Sequence, residues 1–293
     1  MNNKNTYNFK MLGLVTLYHP DLPNAVDNIM RYLPYLDSLV IWDNSPLEEN
    51  LKQKILEPLA EEAGKVIWHG DGNNYCVAPA INYSWHYAQE NHYDSILLMD
   101  QDSQWESFQE YRKQVEECLI QNDNRVFCPY IIGNDFFEIT QEIQNKRVFI
   151  TSGTAIPIKI LNKVGGADEA FPLDALDNDL AIRIQKAGYS IVCLTKHILH
   201  HTIGEARRMG PLHLFTSNYG PERTYSVTRS HILLLRKHHS WLTLGEIYKI
   251  LREHFFYKVI RIVFAEPQKI KKLKSFFKGV NDGFSFNLSN TII

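Results

Sequence analysis

The chain has 293 residues, 44% hydrophobic and 22% charged, with a formal net charge of -2. That is an ordinary globular composition, long enough for one large domain or two small ones, and its balance excludes an overall pull toward nucleic acid. Four cysteines (Cys76, Cys118, Cys128, Cys193) have no metal-type spacing, so reduced thiols are expected.

In chain order, the opening stretch Met1 to Lys10 is polar and Asn-rich, which predicts no signal peptide. No apolar run approaches the roughly 20 residues of a membrane span. Residues 10–16 read as a first strand, broken by Tyr18-His19-Pro20. Residues 24–35 have helical spacing, with Ala25, Ile29 and Leu33 on one face. A second strand over 39–42 ends in Asp43-Asn44-Ser45-Pro46, and residues 51–63 form a helix closed by Gly64. A third strand spans 65–68, a helix 78–91 and a fourth strand 96–99. Alternation of this kind predicts a mostly parallel sheet flanked by helices, with the ligand crevice beyond the carboxyl ends of the strands. Further strands are expected at 126–132, 147–151 and 190–194, with a helix at 180–187 stopped by Gly188. From Pro221 the pattern is helical and basic: between Arg236 and Lys278 eleven Lys or Arg stand against Glu246, Glu253 and Glu266. The expected division is therefore 1–220 and 221–293. Neither a dinucleotide-type Gly-rich turn nor a phosphate-binding Gly-Lys loop is present.

The fourth strand ends abruptly in Asp100-Gln101-Asp102-Ser103. Two carboxylates one residue apart repel unless a cation sits nearby, and a divalent ion holding a diphosphate would supply it. Leu199-His200-His201 offers imidazole, a good partner for carboxylates around Mn²⁺-like ions. A second acidic cluster, Asp174, Asp177 and Asp179, exceeds what one helix cap needs, and a crowded carboxylate there suits a general base. Arg207, Arg208, Arg223 and Arg229 are candidates for phosphate contacts.

Taken in order, Val15-Thr16-Leu17-Tyr18-His19-Pro20, Ile41-Trp42-Asp43-Asn44-Ser45, Met99-Asp100-Gln101-Asp102-Ser103, Ile150-Thr151-Ser152-Gly153-Thr154, Phe171-Pro172-Leu173-Asp174-Ala175-Leu176-Asp177-Asn178-Asp179 and His201-Thr202-Ile203-Gly204 resemble the inverting glycosyltransferase family 2. The likeness is closest to its bacterial rhamnosyltransferase-like branch. The resemblance implies an α/β protein of GT-A type with a C-terminal helical extension. It implies a nucleotide pocket lined by Thr16, Tyr18, Asp43 and Asn74, with Asn82, Asp100, Gln101, Ser152 and Gly153 added to the nucleotide-sugar set. It implies a divalent cation, Mn²⁺ or Mg²⁺, on Asp102 and His201, and Asp177 as catalytic base with Asp174 as runner-up. Two glycines usual in the family are replaced here, by Cys76 and Ser84, and Pro172 stands where an aliphatic residue is usual.

The expected activity is transfer of a sugar, by analogy rhamnose from dTDP-rhamnose, to a glycan or lipid-linked glycan. Galactofuranosyl or hexosyl transfer by the same fold, and a catalytically inactive nucleotide-sugar-binding regulator, are the alternatives. The apolar and basic residues of 241–263 suit either peripheral contact with an anionic membrane or packing as core or homo-oligomer interface. The expected location is cytoplasmic, at the inner membrane face.

Overall fold

A computed structural model describes residues 8–47, 50–132, 135, 137–201 and 207–292. Eleven strands and ten α-helices are described. They run β1 (Met11–Leu17), α1 (Leu22–Met30), β2 (Ser38–Asp43), α2 (Leu51–Leu59), β3 (Val66–His69), α3 (Ala78–Glu90), β4 (Ser95–Asp100), β5 (Ser103–Trp105), α4 (Phe108–Ile120) and β6 (Arg125–Ile132). There follow β7 (Ile143–Lys146), β8 (Thr154–Pro157), α5 (Ile158–Val164), α6 (Leu176–Lys186), β9 (Ser190–His201), β10 (Arg207–Met209) and β11 (Leu214–Thr216). The C-terminal helices are α7 (Pro221–His238), α8 (Leu244–Ile250), α9 (Tyr257–Phe264) and α10 (Lys269–Ser285).

The chain divides into two compact units, one of residues 1–167 and 183–201, the other of 168–182 and 202–293. The first unit holds a nine-stranded sheet in the order β3-β2-β1-β4-β8-β6-β9-β5, with β7 on β9. β1 pairs in parallel with β2 and β4, β2 with β3, and β6 with β9. β8 runs antiparallel between β4 and β6, so β1, β2, β3, β4, β6 and β9 share one direction. The sheet is therefore mostly parallel, and its strands are apolar on both faces because both are covered. On one face Val15, Leu17, Ile41, Met99 and Phe127 meet Ile29 of α1, Ile55 of α2 and Phe108 and Tyr111 of α4. On the other, α3 lies on β1 and β4 and against α5.

Local chemistry trims several expected elements. The helix expected over 24–35 ends at Met30, because Pro34 has no N–H to donate, and a 3₁₀ turn Leu33–Tyr35 follows. The second helix holds Pro58 and ends at Leu59, where Ala60 turns to φ +46° and a 3₁₀ stretch follows. The strand expected at 147–151 is not formed. Phe149 is buried and Ile150 packs on the core, but the ladder partners go to β7 and β8 on either side. The strand expected to stop at residue 194 runs on to His201, after a register shift opposite Pro129/Tyr130. Antiparallel β5, which escaped the sequence reading, supplies the partner for that extra length.

The second unit holds the β10-β11 hairpin and the C-terminal helices, with α10 packed along α7. Gly279 and Gly283 permit this contact. A Cβ on Gly279 would lie 2.7 Å from the Tyr225 carbonyl oxygen, and one on Gly283 2.8 Å from Ile232 Cβ. Among the described residues no helix is long and apolar enough to cross a membrane.

Candidate functional site

Parallel register sets the rim. Thr16 is the Cα partner of both Trp42 and Asp100, and Leu17 that of Asp43, so the carboxyl ends of β1, β2 and β4 finish side by side. Gln101, just past β4, accepts from the Tyr18 N–H at 2.8 Å and donates to its carbonyl at 3.1 Å. One side chain thus extends the ladder and leaves the Tyr18 ring half exposed. Asp43 Oδ1 caps the next turn by accepting from the Ser45 N–H at 2.9 Å. Asn44, not singled out by sequence, donates to the Cys76 carbonyl at 3.0 Å and accepts from the Tyr75 N–H at 2.9 Å, which fixes the loop carrying Asn74. Asn74 itself accepts from the Cys76 N–H at 2.8 Å. Asn82 spends both ends of its amide on the Ala167 backbone, at 3.0 and 2.8 Å.

The β5–β9 register sets Ser103 opposite His201. That pairing gathers Asp100, Asp102 and His201, which each offer a ligand atom within 4.8 Å of the others. His201 Nδ1 lies 2.8 Å from Ser103 Oγ and 3.7 Å from Asp102 Oδ1. Ser152 Oγ donates to Ser103 Oγ at 2.6 Å and accepts from the Asp100 N–H at 3.3 Å. A buried hydroxyl pair thus ties the strand end to the imidazole. Gly153 makes this turn with φ +78°, where a Cβ would meet Pro129 Cγ at 2.7 Å. The serine pair carries no local sequence signal, since its members are 49 residues apart. His200 turns away to Glu106, at 2.7 Å. Residues 202–206, which complete the expected His201-Thr202-Ile203-Gly204 segment, lie outside the described residues.

The donor set suits a hard divalent ion: two carboxylates and one imidazole, with the imidazole's Nδ1 held by a neighbour as metal-bound histidines require. Tyr32 has a fully buried hydroxyl with no hydrogen-bond partner; burial first, and the Asp100 charge second, hold its phenol far above its ordinary range.

The two family glycines that this chain lacks have left marks. Cys76 adopts a left-handed conformation with φ +63°, which costs a residue with a Cβ about 1–2 kcal/mol. Ser84, buried on α3, has a hydroxyl without a hydrogen-bond partner.

The second acidic cluster lies in the other unit. Asp177 sits in the first turn of α6, half exposed. Asp174, just before it, has one oxygen 3.6 Å from Arg223 and the other buried with no hydrogen-bond partner. Burial pushes its carboxyl up, against the opposing pull of Arg223. Asp179 is fully buried and accepts from Lys237 at 2.6 Å, with His238 Nε2 2.8 Å away. Lys237 also donates to Asp168 at 2.6 Å, so this network anchors the start of α6. Arg223 stacks on Tyr219, 4.3 Å from the ring centre, while Arg229 donates to the Ala170 carbonyl at 3.0 Å and covers Phe286. Arg207 opens β10.

No family model matches the chain. Over 298 residues it is 24% identical to the dTDP-rhamnosyl transferase RfbF of Shigella flexneri, covering 94% of this chain and 96% of that protein. Among solved structures, GalNAc-T7 with UDP, GalNAc and Mn²⁺ matches with a TM-score of 0.58 at 10% identity, over 85% of this chain and 55% of that one. The chain thus spans little more than half of that longer protein. The mannosyltransferase PcManGT of Pyrobaculum calidifontis, in complex with GDP-Man and Mn²⁺, matches with a TM-score of 0.60 at 12% identity, over 97% and 78% of the two chains. Residues 1–349 of S. aureus TarS match with a TM-score of 0.52 at 14% identity, over 96% and 74%.

Proposed function

We propose that this chain, whose fold is that of the GT-A glycosyltransferases and whose sequence is rhamnosyltransferase-like, transfers rhamnose from dTDP-rhamnose to a glycan hydroxyl with inversion. The observation that carries this reading is the gathering of Asp100, Asp102 and His201 at the carboxyl edge of the sheet. The near full-length similarity to a dTDP-rhamnosyl transferase supports the donor.

A divalent ion bound there would neutralise the diphosphate and the charge that grows on the leaving group. Asp102 and His201 would hold it, with Asp100 facing the same ion or the ribose. Ser103 holds the His201 ring in place through Nδ1. Thr16, Tyr18, Asp43 and Asn74 line the nucleotide side of the rim. Asp177 takes the proton of the acceptor hydroxyl, with Asp174 as runner-up. The acceptor oxygen bonds to the anomeric carbon as the bond from that carbon to the diphosphate breaks, and dTDP leaves. No covalent enzyme intermediate is required. A lipid-linked glycan is the proposed acceptor class.

The test is ligand-linked thermal stability with Mn²⁺ and a panel of nucleotides and nucleotide sugars. A ligand at a hundred times its Kd stabilises by about 2.7 kcal/mol. Wild type responds to dTDP and dTDP-rhamnose, and Asp102→Asn loses most of that response. Stabilisation by UDP or GDP sugars alone would overturn the donor, and an unchanged response in Asp102→Asn would overturn the ion site.

A further inference from the structure

Helix α10 has two unlike faces. Its inner face is committed to the second unit through Gly279 and Gly283 against α7. Arg236 donates to the Gly283 and Phe286 carbonyls at 2.7 and 2.9 Å, and Tyr225 donates to Asp282 at 2.9 Å. Lys272 is buried on this side and donates to Glu266 and Asn218.

The outward face is apolar and basic. Ile270, Leu273, Phe277, Val280 and Phe284 recur at alternating spacings of three and four, which places them in one stripe along the helix. Three of the five stand clear, with Ile270 72% exposed, Phe277 61% and Phe284 59%, while Leu273 and Val280 are half-buried between them. Lys271, Lys274 and Lys278 are exposed along its flank, with Lys269 at its start. The only acid on the helix, Asp282, is taken by Tyr225. Four exposed lysines on α10 thus stand against one carboxylate.

We propose that the outward face of α10 docks this protein on an anionic lipid surface. The apolar stripe enters the boundary between headgroups and acyl chains, and the lysines meet the anionic headgroups. Charge selects this occupant over a second copy of the chain. Two such stripes laid together would bring four exposed lysines from each copy together with one carboxylate from each, whereas an anionic bilayer complements them. The sequence left 241–263 open between membrane contact and packing as core or homo-oligomer interface. There Leu244, Tyr248, Leu251, Phe256 and Tyr257 are exposed as well, but Glu246 and Glu253 stand among the bases and dilute their charge. The proposal does not depend on the transferase reading.

Flotation of the full chain with vesicles tests it. Wild type floats with phosphatidylcholine vesicles containing phosphatidylglycerol, and far less with phosphatidylcholine alone. Phe277→Ser/Phe284→Ser and Lys271→Glu/Lys274→Glu each lower partitioning, the latter by at least about twentyfold, since each lysine near such a surface is worth about fivefold. All four positions face outward, so circular-dichroism melts of both variants match wild type. Equal flotation of wild type and variants, or equal flotation on neutral and anionic vesicles, would overturn the proposal. So would a wild-type dimer in sedimentation velocity that Phe277→Ser/Phe284→Ser converts to monomer.

Discussion

Asp174 and Asp177 stand three residues apart where the chain enters α6, yet their surroundings differ. Asp174 is mostly buried, with one oxygen near Arg223 and the other with no hydrogen-bond partner, so burial raises its pKa. A carboxyl in that setting is more costly to ionise in the folded chain than in the unfolded one. Replacing it with Asn removes that cost, so Asp174→Asn at neutral pH is neutral to stabilising in a thermal melt. Asp177→Asn should lower transfer by about 10²–10⁴-fold, the usual worth of a general base, while dTDP binding in Mn²⁺ stays intact. Steady-state transfer to an acceptor glycan, with nucleotide binding measured beside it, separates the two residues. An inactive Asp174→Asn beside an active Asp177→Asn would exchange their roles. At this scale the sequence named the carboxylates and His201, because clustered acids, an imidazole and the family resemblance mark them. It missed Ser103 and Ser152 as a pair and Asn44 as a loop anchor, because their partners are set by tertiary contact.

Elements with strong local periodicity were legible and short or borrowed ones were not. The four parallel strands and α3 fall within a few residues of their expected bounds, since apolar runs and Gly or Pro punctuation mark them. β5 is three residues long and exists only because β9 runs past residue 194. It nonetheless brings His201 to Asp102. In the second unit a π-helical turn, Leu251–Phe256, joins α8 to α9 and carries His254 against His231, with ring centres 3.6 Å apart. Burial depresses the His231 pKa to about 4. Burial, then His231 itself and nearby cations, depress that of His254 to about 3. The unfolded chain therefore binds more protons than the native one below the ordinary histidine pKa of about 6.5, and stability falls as pH falls from there toward 4. Urea unfolding at several pH values should show the slope, and His254→Phe should flatten it. An unchanged slope in that variant would place the acid sensitivity elsewhere.

At the scale of the molecule, the sheet that carries Asp100, Asp102 and His201 and the helical tail fall in two compact units, and the spectroscopic probes divide between them. Trp42, Trp68, Trp85 and Trp105 lie in the first unit and Trp241 in the second. Tryptophan emission therefore reports mainly on the sheet, where Trp105 is buried and Trp42 stacks on His69 with ring centres 4.0 Å apart. If Asp102 and His201 hold the diphosphate through an ion, nucleotide with Mn²⁺ stabilises the unit that carries those residues. The emission-detected melting midpoint should rise with dTDP and Mn²⁺ together, and EDTA should reverse most of the rise. Trp241→Phe should leave that rise intact, because the lost fluorophore belongs to the other unit. A rise that vanishes in Trp241→Phe would mean that the nucleotide is sensed in the helical unit. The ion site would then have to be sought among the residues of 168–182 and 202–293.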